Sequence, residues 1–436
     1  MNIPYTRQTL ENGLDVLIHE DHDCPIVAVN VWYHVGSKNE HPGRTGFAHL
    51  FEHLMFEGSE HHDRGYFQPL QEAGAQLNGS TNADRTNYWE VVPRNALELA
   101  LWMESDRMGY LLPALSEEKF ENQREVVLNE RRQNYENRPY GFAGMAMMAA
   151  LYPPDHPYHW MTIGAAEDIR AARLDDVRAF FRTYYRPRNA SLALAGDVDT
   201  DQALALATDY FGGLEAGSDP PPVELTAIPS LAAERRLLLE DRVELPRLYL
   251  AWHSPALFSE DDAELDLVAE VLASGKTSRL YRALVYDERI ATEVAVSQNS
   301  REAGGYFQIV ATAAPGRTLQ EVDRGIARVI DTLIAEGPTA PEMERCQAQA
   351  EANFMYRLQT VGGFGGKSDQ LNAYNIFVGD PGFFERDLER YQRVTPEAMQ
   401  SAAHRLLRPG ARVALSVVPR GRASLALPGS ESVSVS

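Results

Sequence analysis

A proline- and glycine-rich break near the middle of the chain constrains its fold more than any other feature. From Glu215 to Ser230 the sequence passes through Gly217-Ser218-Asp219-Pro220-Pro221-Pro222 and on to Pro229. Prolines in series have no amide hydrogen to give to a helix or a sheet, and they hold the backbone extended. The 436 residues therefore read as two parts of similar size, 1–215 and 233–420, joined by a linker over 216–232. Both parts begin alike. In the first, Asn12-Gly13 marks a turn, and Leu14-Asp15-Val16-Leu17-Ile18 and Ile26-Val27-Ala28-Val29-Asn30-Val31-Trp32 read as strands. A helix-forming run from Phe47 to Phe56 follows and is closed by Gly58-Ser59. In the second, Leu248-Tyr249-Leu250-Ala251-Trp252 leads to a helix over about 262–272. This is a faint internal duplication. The Ser-rich tail over 421–436 is expected to be flexible.

Composition excludes several classes of function. With 44% hydrophobic and 24% charged residues, the chain is that of an ordinary globular protein able to bury a core without staples. Its two cysteines, Cys24 and Cys346, are far apart and form no paired ligand spacing. A formal charge of −21 argues against nucleic acid and against anionic membrane surfaces as partners. It would suit a basic or unfolded polypeptide. No apolar run reaches the length of a membrane span. The first residues, MNIPYTRQTLENGLDVLI, lack the basic and then apolar regions of a signal peptide. The expected location is cytoplasmic, or periplasmic or secreted if a signal peptide has been removed.

The chemistry concentrates in His49-Leu50-Phe51-Glu52-His53. On a helix, His49 and His53 project from one face a turn apart, so both imidazoles can reach one ion. Neutral imidazole suits Zn²⁺, and catalytic zinc usually takes three protein ligands and keeps one position for water. Glu52 stands beside that position, where it can act as general base. The order mirrors the better-known H-E-x-x-H. Two histidines four apart also arise by chance in a chain with 12 of them, and a solvated helix face is the competing reading. A second helix is expected from Ser116 to Tyr135, with Ser116 as cap, Glu117 and Glu118 in the first turn, and Arg131 and Arg132 near the end. Glu130 on that helix is either a third ligand or a partner in surface Glu–Arg pairs; spacing does not choose. Gly275-Lys276-Thr277 and Gly366-Lys367-Ser368 have P-loop endings, but Glu270 and Val361 stand where that loop needs glycine. Gly362-Gly363-Phe364-Gly365-Gly366 reads as a turn or hinge.

The string from Gly46 to Ser59, GFAHLFEHLMFEGS, resembles the pitrilysin/insulinase family of inverted-motif zinc peptidases, most of all its short two-domain branch, which includes the mitochondrial processing peptidase beta subunit. Further points of likeness are Arg124 to Glu130 followed by Asn137-Arg138-Pro139-Tyr140-Gly141, then Tyr184-Tyr185, Pro187, Asn189 and Gly196-Asp197. The resemblance implies an α+β fold of two homologous domains, each a mostly antiparallel sheet with helices packed on it. Together they would form half of a clam-shell chamber, with the other half from a second subunit. It implies Glu130 as third zinc ligand. It implies that a peptide substrate adds to a sheet edge at Asn78, Gly79, Ser80, Thr81 and Asn82, a segment that composition alone also allows as a polar turn. Laying Gly58-Ser59 over Gly275-Lys276 puts His49, Glu52 and His53 opposite Asp266, Ala269 and Glu270, so the second part carries no metal motif.

Two positions depart from the family pattern. Gln123 stands where many members have a glutamate. The Arg/Tyr pair that members use to hold the substrate carbonyl falls on Val285 and Thr292, unless Arg282, Tyr286 or Arg289 substitutes. The resulting expectation is a zinc-dependent endopeptidase acting on peptides or unfolded segments. It would be the zinc-carrying subunit of a heterodimer whose homologous partner supplies the Arg/Tyr pair, with a homodimer as the other arrangement. The alternative is a non-catalytic zinc-binding assembly subunit.

Overall fold

Strict alternation in the early strands places every second side chain on one face of a sheet. Val27, Val29, Val31 and Tyr33 are buried on one side, and Ala28, Asn30 and Trp32 on the other, so this strand must be covered on both. The computed structural model describes residues 2–227, 231 and 233–435. Linker positions 228–230 and 232 and tail position 436 lie outside the described residues. In chain order the first half contributes β1 (Thr6–Thr9), β2 (Asp15–Glu20), β3 (Ile26–Tyr33), α1 (Phe47–Leu54), α2 (Phe67–Glu72), β4 (Gln76–Thr81), β5 (Thr86–Pro93), α3 (Leu97–Ala114), α4 (Glu117–Arg131), α5 (Ala143–Leu151), α6 (Ala166–Ala171), α7 (Leu174–Tyr184), β6 (Ala190–Gly196) and α8 (Thr200–Phe211). The second half contributes β7 (Arg235–Asp241), β8 (Arg247–Ser254), α9 (Asp262–Ala273), β9 (Ala291–Asn299), β10 (Gly305–Ala313), α10 (Leu319–Glu336), α11 (Ala340–Arg357), α12 (Lys367–Val378), α13 (Phe384–Gln392), α14 (Pro396–Leu406), β11 (Val413–Pro419) and β12 (Glu431–Ser432).

The fold is α+β, and the described strands form two mixed six-stranded sheets of the same design. The first runs β1-β2-β6-β3-β5-β4 and the second β12-β7-β11-β8-β10-β9. In both, one pair is parallel at the same place, β2 with β6 and β7 with β11. The three strands beyond it pair antiparallel. In both, a helix follows the fourth strand of the order in the chain and precedes the sixth, α1 between β3 and β4 and α9 between β8 and β9. The duplication faintly visible in sequence is thus a repeat of topology.

The helices do not follow the halves. One compact unit comprises 1–130, 160–224 and 353–386, and the other 131–159, 225–352 and 387–436. The first unit takes α12 from the second half of the chain, and the second takes α5 from the first half. The exchange is reciprocal and occurs at matching places, just after α4 and late in α11. In the first unit α12 packs on β6, β3 and β2, while α3 and α8 cover the other face. In the second unit α5 packs on β11 and β8.

Several details differ from the sequence reading. The expected helix over 116–135 is α-helical only to Arg131 and then widens into a π-turn over Arg132–Glu136, closed by Asn137 N–H donating to the Arg132 carbonyl at 2.8 Å. Ser116 does cap its start, accepting from the Lys119 amide at 3.3 Å. The tail expected to be flexible instead docks. Leu427 is buried and its amide donates to Ser416 Oγ at 3.1 Å, and Glu431–Ser432 add to β7 as a parallel strand. An apolar anchor at Leu427 outweighs the serines around it. Among the described residues no helix is long and apolar enough to cross a membrane.

The tip of the β4–β5 hairpin crosses a tight place. Ser37 N–H donates to the Asn82 carbonyl at 3.1 Å and Lys38 N–H to the Ala83 carbonyl at 2.9 Å. A Cβ on Gly36 would lie 2.4 Å from the Asn82 oxygen, so only glycine fits. Gly36→Ala should cost about 1–3 kcal/mol, read as a lowered denaturation midpoint. In the second unit, burial pushes the Asp266 carboxyl up to about 7 although Tyr391 Oη donates to it at 2.6 Å. The folded chain therefore keeps a proton that the unfolded chain releases near pH 4. Asp266 should subtract stability as pH rises from 4 to 7, by roughly 4 kcal/mol in full. Asp266→Asn should flatten that part of the stability–pH curve.

Candidate metal centre

Helix α1 is amphipathic over only eight residues. Phe47, Ala48, Leu50, Phe51 and Leu54 are buried, which leaves His49, Glu52 and His53 together on the opposite, less buried face. The helix is fixed at both ends. At its start the buried Glu40 carboxylate accepts from the Gly46 amide at 2.9 Å and the Ala48 amide at 2.8 Å, supplying acceptors that the first turn lacks. Burial pushes the Glu40 carboxyl up to about 8, against the pull of those two amides. In the middle, the Phe51 ring stacks on Tyr185 at 4.6 Å and on Phe181 at 5.6 Å between centroids. Beyond its end, Phe56 meets Phe67, Tyr88 and Tyr66.

The structure brings His49, His53 and Glu130 together. One ligand atom from each lies within 4.8 Å of the others. Nε2 of His49 is 3.6 Å and Nε2 of His53 is 3.4 Å from the same Glu130 oxygen, and the two imidazole rings stand edge to face at 4.8 Å. Glu130 reaches this point from the last turn of α4. Burial and the neighbouring His53 hold the His49 imidazole down to about 4, so it is neutral at ordinary pH, the form that binds a metal. Two imidazoles and a carboxylate converging from two helices fit a Zn²⁺ of the His₂Glu kind. Glu52 does not join the three. Burial raises its carboxyl above the usual range, opposed first by a hydrogen bond from Thr81 and then by the charges of His53 and Arg85.

The expected substrate segment divides. Gln76–Thr81 is β4, whose only ladder partner among the described strands is β5, so it is the sheet edge. Gly79 and Thr81 face α1: a Cβ on Gly79 would lie 3.1 Å from the Phe56 and Tyr88 rings. Ser80 faces the opposite side and donates to Asn87 Oδ1 at 2.6 Å. Asn82 is in the hairpin turn, where its side chain accepts from the Asp84 and Arg85 amides at 2.7 and 2.9 Å. Gln123 on α4 donates to Glu57. The region aligned with the Arg/Tyr pair belongs to the second unit: Val285 lies in a π-helical turn, Tyr281–Asp287, and Thr292 in β9. Tyr286 there is exposed.

Sequence reasoning missed Glu40, Arg85 and Asp369. Glu40 is a cap acting from seven residues ahead of the helix, outside the usual Ser/Thr/Asp pattern; the acid before a glycine-containing turn is its only signal. Arg85 and Asp369 are far apart in the chain, and nothing local marks them.

Comparison with known proteins identifies the family and the fold. The family model described as insulinase (peptidase family M16) matches residues 15–153, and that described as peptidase M16 inactive domain matches 171–350. The chain is 29% identical over 356 residues to zinc protease PqqE of Helicobacter pylori, covering 81% of this chain and 80% of that one. It is 24% identical to the uncharacterized zinc protease YmxG of Bacillus subtilis, covering 81% and 85%. Among solved structures, a protease from Helicobacter pylori superposes with a TM-score of 0.87 at 25% identity, covering 95% of this chain and all of that one. The periplasmic protease PqqL of Escherichia coli shares the fold, with a TM-score of 0.79 at 17% identity over 98% of this chain and 50% of that one.

The geometry predicts that the purified chain takes up about one zinc ion. Glu130→Ala should weaken zinc binding by roughly 100-fold or more, measured by metal-competition titration.

Proposed function

We propose that this chain, which belongs to the pitrilysin/insulinase (M16) family in its two-domain form, is a zinc-dependent endopeptidase that cleaves peptides or unfolded polypeptide segments. The observation that carries the reading is the convergence of His49, His53 and Glu130 on one point, with Glu52 beside it on the same face of α1. Zinc held by these three groups would polarise the scissile carbonyl and make water a competent nucleophile near neutral pH. Glu52 is the general base. Its raised carboxyl suits a group that must take a proton from the attacking water and return it to the leaving amine. Thr81 orients Glu52 by hydrogen bond and stands at the end of the open edge strand. An extended peptide laid along Asn78 to Thr81 would pair through main-chain hydrogen bonds and so present its carbonyl beside Glu52. Asn82 holds the hairpin closed below that edge.

The substrate carbonyl needs donors that Val285 and Thr292 do not supply. A homologous partner carrying an Arg/Tyr pair is the arrangement we favour, in a heterodimer, with the exposed Tyr286 and Arg282 as the source in a homodimer. The second reading, a non-catalytic zinc-binding subunit, draws on the inactive-domain model matched by 171–350. Glu52→Gln separates them. As a peptidase the variant should keep its zinc and lose about 10²–10⁴ of turnover on an unfolded polypeptide. Equal cleavage by variant and parent would refute the role of Glu52. Oxyanion-side donors contribute about 10²–10³ in rate, so full activity of the chain purified alone would remove the need for a partner.

A further inference from the structure

The first unit contains a run of hydrogen bonds that ends at the edge strand and begins in the segment supplied by the second half of the chain. Asp369, in the first turn of α12, is buried. Its Oδ1 accepts from Trp32 Nε1 at 2.9 Å and from Asn30 Nδ2 and Asn87 Nδ2 at 3.2 Å each. Its Oδ2 accepts from the Gly365 amide at 2.7 Å. Asn87, fully buried on β5, accepts in turn from Ser80 Oγ on β4 at 2.6 Å. Arg85 Nη1 donates to the same Ser80 hydroxyl at 2.6 Å and to the Ser80 carbonyl at 3.0 Å. The Arg85 guanidinium lies over the Trp32 ring, 5.0 Å from its centroid, where the Asp369 and Glu52 carboxylates both attract it.

We infer that Asp369 and Arg85 are positioning residues that fix the level and register of the substrate edge β4 against α1, through the path Asp369–Asn87–Ser80–Arg85. This rests on the peptidase reading above, because it gives the edge its use. An edge strand is laddered on one side only and is the most easily deformed strand of a sheet. Here Thr81 is held from the α1 side by Glu52, and Ser80 from the α12 side by Asn87. The clamp acts on both faces at adjacent residues. A buried carboxylate with four donors is expensive to leave half satisfied, so Asp369 also forces Asn30, Trp32 and Asn87 into single rotamers. The second half of the chain thereby contributes to the metal-bearing unit a residue that touches neither metal nor substrate.

The test uses the full chain loaded with zinc. Asp369→Asn and Arg85→Met are compared with the parent and with Lys367→Ala, which removes the separate bond from Lys367 to Asp21 on the same helix. Three quantities are read: zinc content, amide hydrogen exchange across β4, and affinity of the Glu52→Gln background for an unfolded polypeptide. Asp369→Asn and Arg85→Met should keep zinc, speed exchange in β4 by at least about tenfold and weaken polypeptide binding. In an active background the loss should fall on KM rather than kcat. Lys367→Ala should leave β4 exchange at the parent rate. Unchanged β4 exchange in Asp369→Asn and Arg85→Met, or equal acceleration in Lys367→Ala, would overturn the inference. If the Glu52→Gln chain binds no polypeptide although β4 responds as described, the peptidase reading fails and the clamp stands.

Discussion

A helix of eight residues has too few hydrogen bonds of its own to hold two histidines in place. Everything at the centre depends on how α1 is held from outside. The decisive contact is the buried Glu40 carboxylate on the Gly46 and Ala48 amides. It fixes where the helix begins and hence which residues face inward. Gly46 makes the turn possible, with a left-handed φ of 87° and a neighbouring backbone oxygen 3.0 Å from where a Cβ would stand. Thr45, just ahead of it, is bound through its amide and hydroxyl to Asp168. With the start pinned, the rings of Phe51 and Phe56 set the rotation of the helix, and His49, Glu52 and His53 fall on the remaining face. Of these contacts only that of Phe51 lies within the motif itself.

The motif was nonetheless the most legible part of the chain. Its spacing alone put both imidazoles on one helix face, and the strands and helices around it were readable because alternation and helical periodicity are local properties. Spacing alone left Glu130 as one glutamate among several on a charged helix, and only the family resemblance singled it out as a third ligand. Geometry draws it out, because α4 ends where its last turn meets α1. The π-turn after Arg131 was not visible, since a widened turn answers to the tertiary path of the chain rather than to any residue in it. The serine-rich tail misled for a similar reason: one buried leucine, Leu427, decides its course. Asp369 shows the limit most plainly. It sits beside a glycine-rich stretch that reads as a hinge, yet it organises three donors from strands more than 280 positions away.

The two sheets repeat one design, but their chemistry has diverged at the equivalent helix. Where α1 offers imidazoles, α9 offers Asp266 and Glu270. Burial raises the Asp266 carboxyl to about 7, and Tyr391 Oη donates a hydrogen bond to it. Among the described residues the three groups able to hold a metal therefore lie in one unit, while the other keeps the shape and has a Tyr391–Asp266 hydrogen bond at the equivalent helix.

The reciprocal exchange of α5 and α12 bears on how the protein is made. During synthesis the first sheet is complete once β6 has emerged, but one of its faces lies bare until residues 353–386 follow. That face carries Asn30, Trp32 and Asn87, whose buried polar atoms have no acceptor until Asp369 arrives. The nascent chain must therefore keep a broad, partly apolar surface in solution while most of its second half is translated. Long-range closure of this kind slows folding and lengthens exposure to aggregation. It also means that the first unit cannot reach its final form ahead of the rest. A chain cut short before α12 would carry His49, His53 and Glu130 without the helix that covers the other side of their sheet.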